Sequence, residues 1–176
     1  LTLTPVYQPF LFLPKLAERR SVRVPLHADV NAQRWTIDWE SLEAAMTPDV
    51  KIFWLCHPHN PTGKVFTREE LLRIADLCER RGVTVVSDEI WDDLILDDSC
   101  HIPFASLDHP AARRSITFVA ASKTWNIAGL GCAAAIVPNE DFRKQWRQAG
   151  GGLVPMVNPL GYAASEAAWK DGEHWR

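Results

Sequence analysis

The sequence has 176 residues, 47% of them hydrophobic and 23% charged, which is the balance of one globular domain and excludes a disordered chain. Nineteen Lys and Arg against 22 Asp and Glu give a net charge of −3 without a basic stripe, so nucleic acid is not an expected partner. No apolar run approaches the roughly 20 residues of a membrane-spanning helix, and no signal peptide is recognisable. We therefore expect a cytoplasmic protein without a membrane partner, with its four cysteines reduced.

The first fifty residues carry weak signals. Residues 10–20 suit a short helix, and residues 22–26 alternate apolar and polar side chains as a half-buried strand near a sheet edge does. A loop is expected at 29–31, and residues 39–46 show a short helical pattern. Because residue 1 is Leu and the first apolar element has no start signal, we expect the chain to be a fragment.

The middle of the chain gives the clearest pattern. Residues 50–56 form an almost continuous apolar run, as in a parallel strand that is covered on both faces. Thr67 and Glu70 form a capping box that opens a helix ending at Arg81, and residues 83–86 form a second apolar run. The order strand, helix, strand predicts a crossover unit of a parallel sheet.

The remaining residues continue this alternation. Short strands are predicted at 116–120 and 132–137, an amphipathic helix at 139–149 and a last helical segment at 160–169. The fold class is therefore α/β, a mainly parallel sheet with flanking helices.

Polar side chains follow three of the predicted strands. Asn60 comes after the first buried strand, Asp88 after the second, and Ser122 and Lys123 after the third. Ligands of open α/β sheets bind outside the carboxyl ends of the strands. We therefore expect an amide, a carboxylate and an amine to lie together at this end of the sheet.

This combination suits pyridoxal 5'-phosphate. A lysine such as Lys123 can form a Schiff base with the cofactor's aldehyde, and Asp88 can keep the ring nitrogen protonated as part of an electron sink. The Asn60 amide can donate to the ring oxygen, and the hydroxyl or backbone near Ser122 can reach the phosphate.

Three motifs carry a family resemblance. WLCHPHNPTGKVF at 54–66, VVSDEIWDDL at 85–94 and ASKTWNIAGL at 121–130 resemble the large domain of fold-type-I pyridoxal phosphate enzymes of the class I/II aminotransferase superfamily. TPVYQPF at 4–10 and HIPFASL at 101–107 are more similar to its carbon-sulfur β-lyase branch, of the cystathionine β-lyase type, than to ordinary transaminases.

The resemblance implies roles for individual residues. Lys123 would be the Schiff-base lysine and the α-proton shuttle, and Tyr7 would lie against the face of the cofactor ring. Trp91 stands where the superfamily often has Tyr or His; its indole N–H can donate to the ring oxygen, although a plain core role is an alternative. Ala120 and Gly131 replace a serine and an arginine that contact the phosphate in ordinary transaminases.

The resemblance also implies the organisation of the enzyme. Residues 1–176 would be an incomplete cofactor-binding large domain, with an N-terminal segment and a C-terminal small domain missing. The full enzyme would be a homodimer acting on a small amino-acid substrate of the cystathionine or cysteine S-conjugate type. It would release pyruvate, ammonia and a thiol by α,β-elimination.

Other functions remain open at this point. An aminotransferase would use the same residues and differ only in where the proton returns. A metal site, which we do not favour, could draw on Cys56, His57, His59, Asp88, Glu89, Asp92 and Asp93. A catalytically incomplete binding or assembly module could cover a partner with Trp35, Trp39, Trp146, Trp169 and Trp175.

Overall fold

The computed structural model describes residues 1–176, which fold into one seven-stranded sheet with helices packed around it. The strands are β1 (Thr2–Thr4), β2 (Arg23–Asp29), β3 (Arg34–Ile37), β4 (Ile52–Cys56), β5 (Thr84–Asp88), β6 (Ile116–Val119) and β7 (Ala134–Ile136). The helices are α1 (Pro9–Leu16), α2 (Trp39–Ala45), α3 (Arg68–Arg81), α4 (Pro110–Arg113), α5 (Glu140–Gly150) and α6 (Pro159–Asp171).

The strand order across the sheet is β3-β2-β1-β4-β5-β6-β7. The five inner strands run parallel to one another, and the edge strands β3 and β7 are each antiparallel to their neighbours. The predicted α/β class with a mainly parallel sheet is therefore confirmed. No helix is both long and apolar enough to cross a lipid bilayer.

Helix α3 begins and ends as its sequence predicts. The Thr67 hydroxyl accepts a hydrogen bond from the Glu70 amide at 3.2 Å, and the Glu70 carboxylate accepts one from the Thr67 amide at 3.0 Å. At the other end Gly82 has a φ of 63°, the left-handed conformation that closes a helix. The helix buries Leu71, Ile74, Ala75, Leu77 and Cys78 against the sheet, in a core cluster of 21 residues.

The N-terminal third differs from the sequence-based prediction at the ends of two elements. Helix α1 ends at Leu16 and does not continue to residue 20. The segment 29–31 is not simply a loop, because β2 extends to Asp29 and a tight turn then leads into β3, which pairs antiparallel with β2. The strand predicted at 22–26 therefore lies next to the edge strand β3 and is not itself the edge strand. Pro25 is compatible with this place because β3 pairs with β2 only from Leu26 onward.

Candidate functional site

A cavity of about 70 Å³ lies where the carboxyl ends of β4 and β5 meet the loop after β6. Its walls are formed by Tyr7, Phe10, Cys56, Asn60, Asp88, Ile90, Trp91 and Lys123. Five of the six residues singled out from the sequence therefore line one cavity. Ser122 is the exception.

The pairing of β4 with β5 positions the floor of this cavity. Cys56 and Asp88 are direct partners across the two parallel strands, so their side chains emerge on the same face of the sheet. The His57 amide donates to the Asp88 carbonyl at 2.8 Å and extends the ladder by one residue beyond β4. The chain then turns, and the Asn60 amide N–H contacts the Cys56 sulfur at 3.4 Å.

Tyr7 reaches the cavity because the segment after β1 is tied to this turn. The Tyr7 amide donates to the Asn60 carbonyl at 2.9 Å. The buried His59 ring bridges the two segments, with Nε2 at 2.8 Å from the Pro5 carbonyl and Nδ1 at 3.2 Å from the Cys56 carbonyl. The Tyr7 side chain stays 49% exposed, so its ring can form one wall of the cavity and still face an incoming ligand.

Asp88 is the acidic group of the cavity. Burial raises the pKa of this carboxyl above its usual value, and the nearby Lys123 ammonium only partly opposes the shift. Its single hydrogen bond within the protein, from the Ile90 amide, is long at 3.4 Å. A desolvated carboxylate with free acceptor capacity is strongly stabilised by a cationic hydrogen-bond donor.

Lys123 projects from the turn at 121–126 that follows β6, and its side chain is exposed. Its Nζ lies 5.6 Å from the centre of the Trp91 ring. The turn itself is held from the C-terminal side, because the Trp125 indole donates to the Gly172 carbonyl at 2.9 Å. Trp91 is partly buried and forms part of the cavity wall.

Ser122 does not reach the cavity. Its carbonyl accepts a hydrogen bond from the Ile127 amide at 3.1 Å within the turn. The phosphate contact proposed for its hydroxyl or backbone thus remains a prediction.

Cys56, Phe10 and Ile90 line the cavity but were missed as site residues. Burial raises the pKa of the Cys56 thiol to about 12, so the thiol stays neutral and contributes shape and weak polarity rather than a nucleophile. Phe10 stacks on Trp54 with ring centres 4.4 Å apart and closes the side of the cavity. The register was the available signal for Cys56, since the last residue of β4 must lie beside the last residue of β5.

A larger cleft of about 340 Å³ adjoins the cavity and shares Asn60 and Trp91 with it. Its far wall is the loop segment 94–97, with Pro58, Pro61 and Val65 opposite. The cleft is mostly apolar and has room for a ligand group beyond the one held by the cavity.

The residues considered for a metal site serve other purposes. The His57 Nε2 lies 3.1 Å from the Ile102 carbonyl, and both ring nitrogens of His59 face backbone carbonyls. Glu89 is fully buried among protein donors. No group of three or more His, Cys, Asp or Glu side chains is arranged to hold a metal ion.

Comparison with known proteins gives a consistent picture. Residues 1–173 match the family described as Aminotransferase class I and II. The chain is 42% identical over 177 residues to cystathionine beta-lyase PatB of Bacillus subtilis (strain 168), covering 97% of this chain and 44% of PatB.

Two solved structures are closely similar. The crystal structure of OvoB superposes with a TM-score of 0.92 at 43% identity, covering 99% of this chain and 46% of OvoB. Cystalysin from Treponema denticola, whose crystal structure contains a pyridoxal 5'-phosphate cofactor, superposes with a TM-score of 0.92 at 35% identity, covering 99% and 44%. The chain thus spans less than half the length of the relatives it matches.

Proposed function

Because the chain belongs to the aminotransferase class I and II family, we propose that it forms the cofactor-binding large domain of a pyridoxal-phosphate-dependent carbon-sulfur β-lyase. The proposed reaction is α,β-elimination of the thiol from cystathionine or another cysteine S-conjugate, after which one water is consumed as pyruvate and ammonia are released. One observation carries the proposal: an amine, a carboxylate and an amide line a single cavity in a chain similar to PatB and cystalysin.

The residues of the cavity fit pyridoxal phosphate. Asp88 offers a desolvated carboxylate for the protonated ring nitrogen, and Asn60 offers an amide for the ring oxygen. Lys123 offers the primary amine that can bond covalently to an aldehyde. The Tyr7 ring is exposed on one wall, where it can stack on a planar ligand.

The cofactor, when bound, supplies an electron sink that stabilises negative charge at the substrate α-carbon. The Lys123 amine, when it is no longer bonded to the cofactor aldehyde, would act as a general base and remove the α-proton of the substrate. Asp88 would hold a proton on the ring nitrogen through the charge of its carboxylate, which accepts only one long hydrogen bond within the protein. Trp91 can donate its indole N–H but cannot act as an acid or a base.

An aminotransferase is the second candidate, because the family itself carries that description. Both reactions use Lys123 to remove the α-proton and Asp88 to hold the ring proton. They differ in the carbon to which Lys123 returns the proton and in whether the β-substituent leaves. Pyruvate release from cystathionine without an added oxo acid supports the lyase, whereas strict dependence on an added 2-oxo acid supports the aminotransferase.

Two further properties belong to the proposal. We propose a homodimer, supported by large exposed apolar side chains along residues 153–162. We propose a cytoplasmic location, supported by four cysteines that are all free.

The test is covalent trapping on Lys123. The protein is incubated with pyridoxal phosphate and reduced with borohydride, and mass spectrometry locates the adduct. We expect the adduct on Lys123, and we expect Lys123→Ala to lose both the adduct and the visible absorbance of the lysine-bound cofactor. Activity should fall by about 10²-fold to 10⁴-fold or more, the range for loss of a positioned general base.

Lys144→Ala is the matched control, because Lys144 is an exposed lysine on α5 that pairs only with acidic neighbours on its own helix. It should keep the adduct and the activity. An adduct on another lysine would contradict the assignment of Lys123. No adduct on any lysine would favour the alternative of a catalytically incomplete binding or assembly module.

A further inference from the structure

A second set of polar side chains lies behind the proposed cofactor cavity. Ser87 and Glu89 flank Asp88 in the chain, and because side chains alternate along an extended strand, they point to the opposite face of the sheet. Glu89 is completely buried. Its Oε1 accepts hydrogen bonds from the Ser87 hydroxyl at 2.7 Å and the Phe104 amide at 2.9 Å, and its Oε2 accepts one from His101 Nε2 at 2.9 Å.

These contacts fasten both ends of the loop formed by residues 90–100. At the start, the Glu89 amide donates to the Phe118 carbonyl at 2.8 Å, and the Glu89 carbonyl accepts from the Asp92 amide at 3.0 Å. The turn begun in this way carries Trp91. At the end, His101 and Phe104 return to the same carboxylate. Glu89 therefore contacts the start of the loop through its backbone, and it contacts the residues just after the end of the loop through its carboxylate.

The loop carries functional surface on its inner side. Trp91 lines both the small cavity and the larger cleft, and residues 94–97 form the far wall of the cleft. The loop beyond the wall is mostly exposed and has no apolar core of its own. Apart from one ion pair, between Asp93 and Arg176 at 3.7 Å, the position of the loop consequently depends on its ends.

Burying a carboxylate costs free energy that hydrogen bonds must offset. Three donors converging on Glu89 do so, and they also restrict the loop to one arrangement. An apolar side chain at this position could fill the same space, but it could not accept hydrogen bonds from the Phe104 amide and the His101 ring. The two imidazoles of His57 and His101, with ring centres 4.3 Å apart, fill the remaining space of this buried cluster.

We propose that Glu89 is a positioning residue, which holds Trp91 and the wall at 94–97 against the cofactor cavity through its bonds to Ser87, His101 and Phe104. This inference rests on the proposed function, because the cavity that Trp91 closes is the proposed site of pyridoxal phosphate. Glu89 itself lines neither the cavity nor the cleft, so it would act on cofactor affinity through the loop.

The test combines two measurements on the purified full chain. Hydrogen exchange of the cofactor-free protein reports the loop directly. In Glu89→Ala we expect the hydrogen-bonded amides of Asp92, Leu94 and Phe104 to exchange about 100-fold faster, as follows from loss of a buried acceptor, while α3 is unchanged. Titration with pyridoxal phosphate reports the consequence, and we expect the dissociation constant to rise about fivefold or more. Glu79→Ala, at an exposed position on α3, is the matched control and should change neither.

A double-mutant cycle with Trp91→Ala separates positioning from general destabilisation. If Glu89 acts through Trp91, Glu89→Ala should weaken pyridoxal phosphate binding by less than about twofold when Trp91 is already alanine. Additive effects of the two changes would overturn the proposal. Unchanged exchange of the loop in Glu89→Ala would overturn it as well.

Glu89→Gln and His101→Gln keep the proposal testable if Glu89→Ala does not fold. In Glu89→Gln the amide oxygen of the new side chain can still accept from the Phe104 amide, so this variant should restore part of the loop protection. We expect both variants to speed exchange of the loop amides and to raise the dissociation constant of pyridoxal phosphate, as Glu89→Ala does. If both variants fold and exchange like the wild type, the proposal is wrong. Failure of the wild-type protein to bind pyridoxal phosphate would count against the proposed function, whereas the exchange measurement would still decide whether Glu89 holds the loop.

Discussion

Individual residues at the carboxyl ends of β4 and β5 fall into two groups according to the face of the sheet on which they emerge. Cys56 and Asp88 face the cavity, whereas Ser87 and Glu89 belong to the buried cluster behind it. His57 joins that cluster through its contact with His101. Neighbouring residues of one motif thus lie on two sides of the sheet, one with the proposed cofactor site and the other with the proposed anchor of the loop.

His57 predicts a pH dependence of stability. Burial, and then the nearby His101, lower the pKa of His57 from 6.5 to about 4. Between these two values the unfolded chain binds a proton that the folded chain does not, so the free energy of unfolding falls as the pH drops. This residue should contribute a loss of about 2 kcal/mol between pH 7 and pH 5.

The measurement is urea unfolding of the wild type and of His57→Gln at both pH values. Glutamine does not titrate and can still donate to the Ile102 carbonyl, so the variant should lose less stability on acidification than the wild type. The comparison cancels other groups that titrate in the same range, such as Asp92, whose pKa burial raises to about 6. An identical loss in both proteins would contradict the prediction.

The sequence predicted Asn60, Asp88 and Lys123 to lie together because each follows a strand of one parallel sheet, and the carboxyl ends of such strands meet at one edge. Tyr7 came from the resemblance alone, since its place depends on the backbone bond to Asn60, which spans more than fifty residues of sequence. Ser122 was expected at the cavity from its position beside Lys123. The turn at 121–126 instead brings only the lysine to the cavity wall.

At the scale of elements, helix α3 illustrates a local signal that determines its structure. Its capping box and its closing glycine act within a few residues of each helix end, so no tertiary contact is needed to predict the boundaries. Strands β1 and β3 are the opposite case. Each is only three or four residues long; β1 depends on its partners β2 and β4, and β3 depends on β2.

Gly82→Ala should lower the free energy of unfolding by about 1 kcal/mol. A Cβ at position 82 would meet no atom within 4 Å, so the cost comes from the left-handed backbone conformation alone. Gly129→Ala is the matched control, because position 129 also has open space but not a positive φ. Urea unfolding should show a change for Gly129→Ala within about 0.5 kcal/mol. Equal effects of the two substitutions would rule out backbone strain as the cause.

At the scale of the whole molecule, apolar surface is concentrated along the segment from residue 153 to residue 162. Met156 is 96% exposed, Leu153 80% and Leu160 71%. A patch of this kind is typical of a surface that a partner covers. The proposed homodimer would account for it.

Met156→Ser and Leu160→Ser should each weaken self-association about tenfold, which corresponds to the free energy of burying one such side chain. Sedimentation velocity over a range of protein concentrations measures the change. Leu96→Ser is the control, because Leu96 is equally exposed but lies on the loop 90–100. If the wild type sediments as a monomer at every concentration, this surface is not a homodimer interface.

Strand β1 has a consequence for how the molecule could be divided. It is only three residues long, yet it lies between β2 and β4, which pair with it and not with each other. Without residues 1–4 the sheet would separate into a β2-β3 hairpin and a four-stranded unit, leaving a slot one strand wide. A slot of this kind accepts an extended peptide by strand addition. Because Pro5 and Tyr7 lie within three residues of the end of β1, a synthetic peptide spanning residues 1–7 would restore the sheet and one wall of the cavity in one binding event.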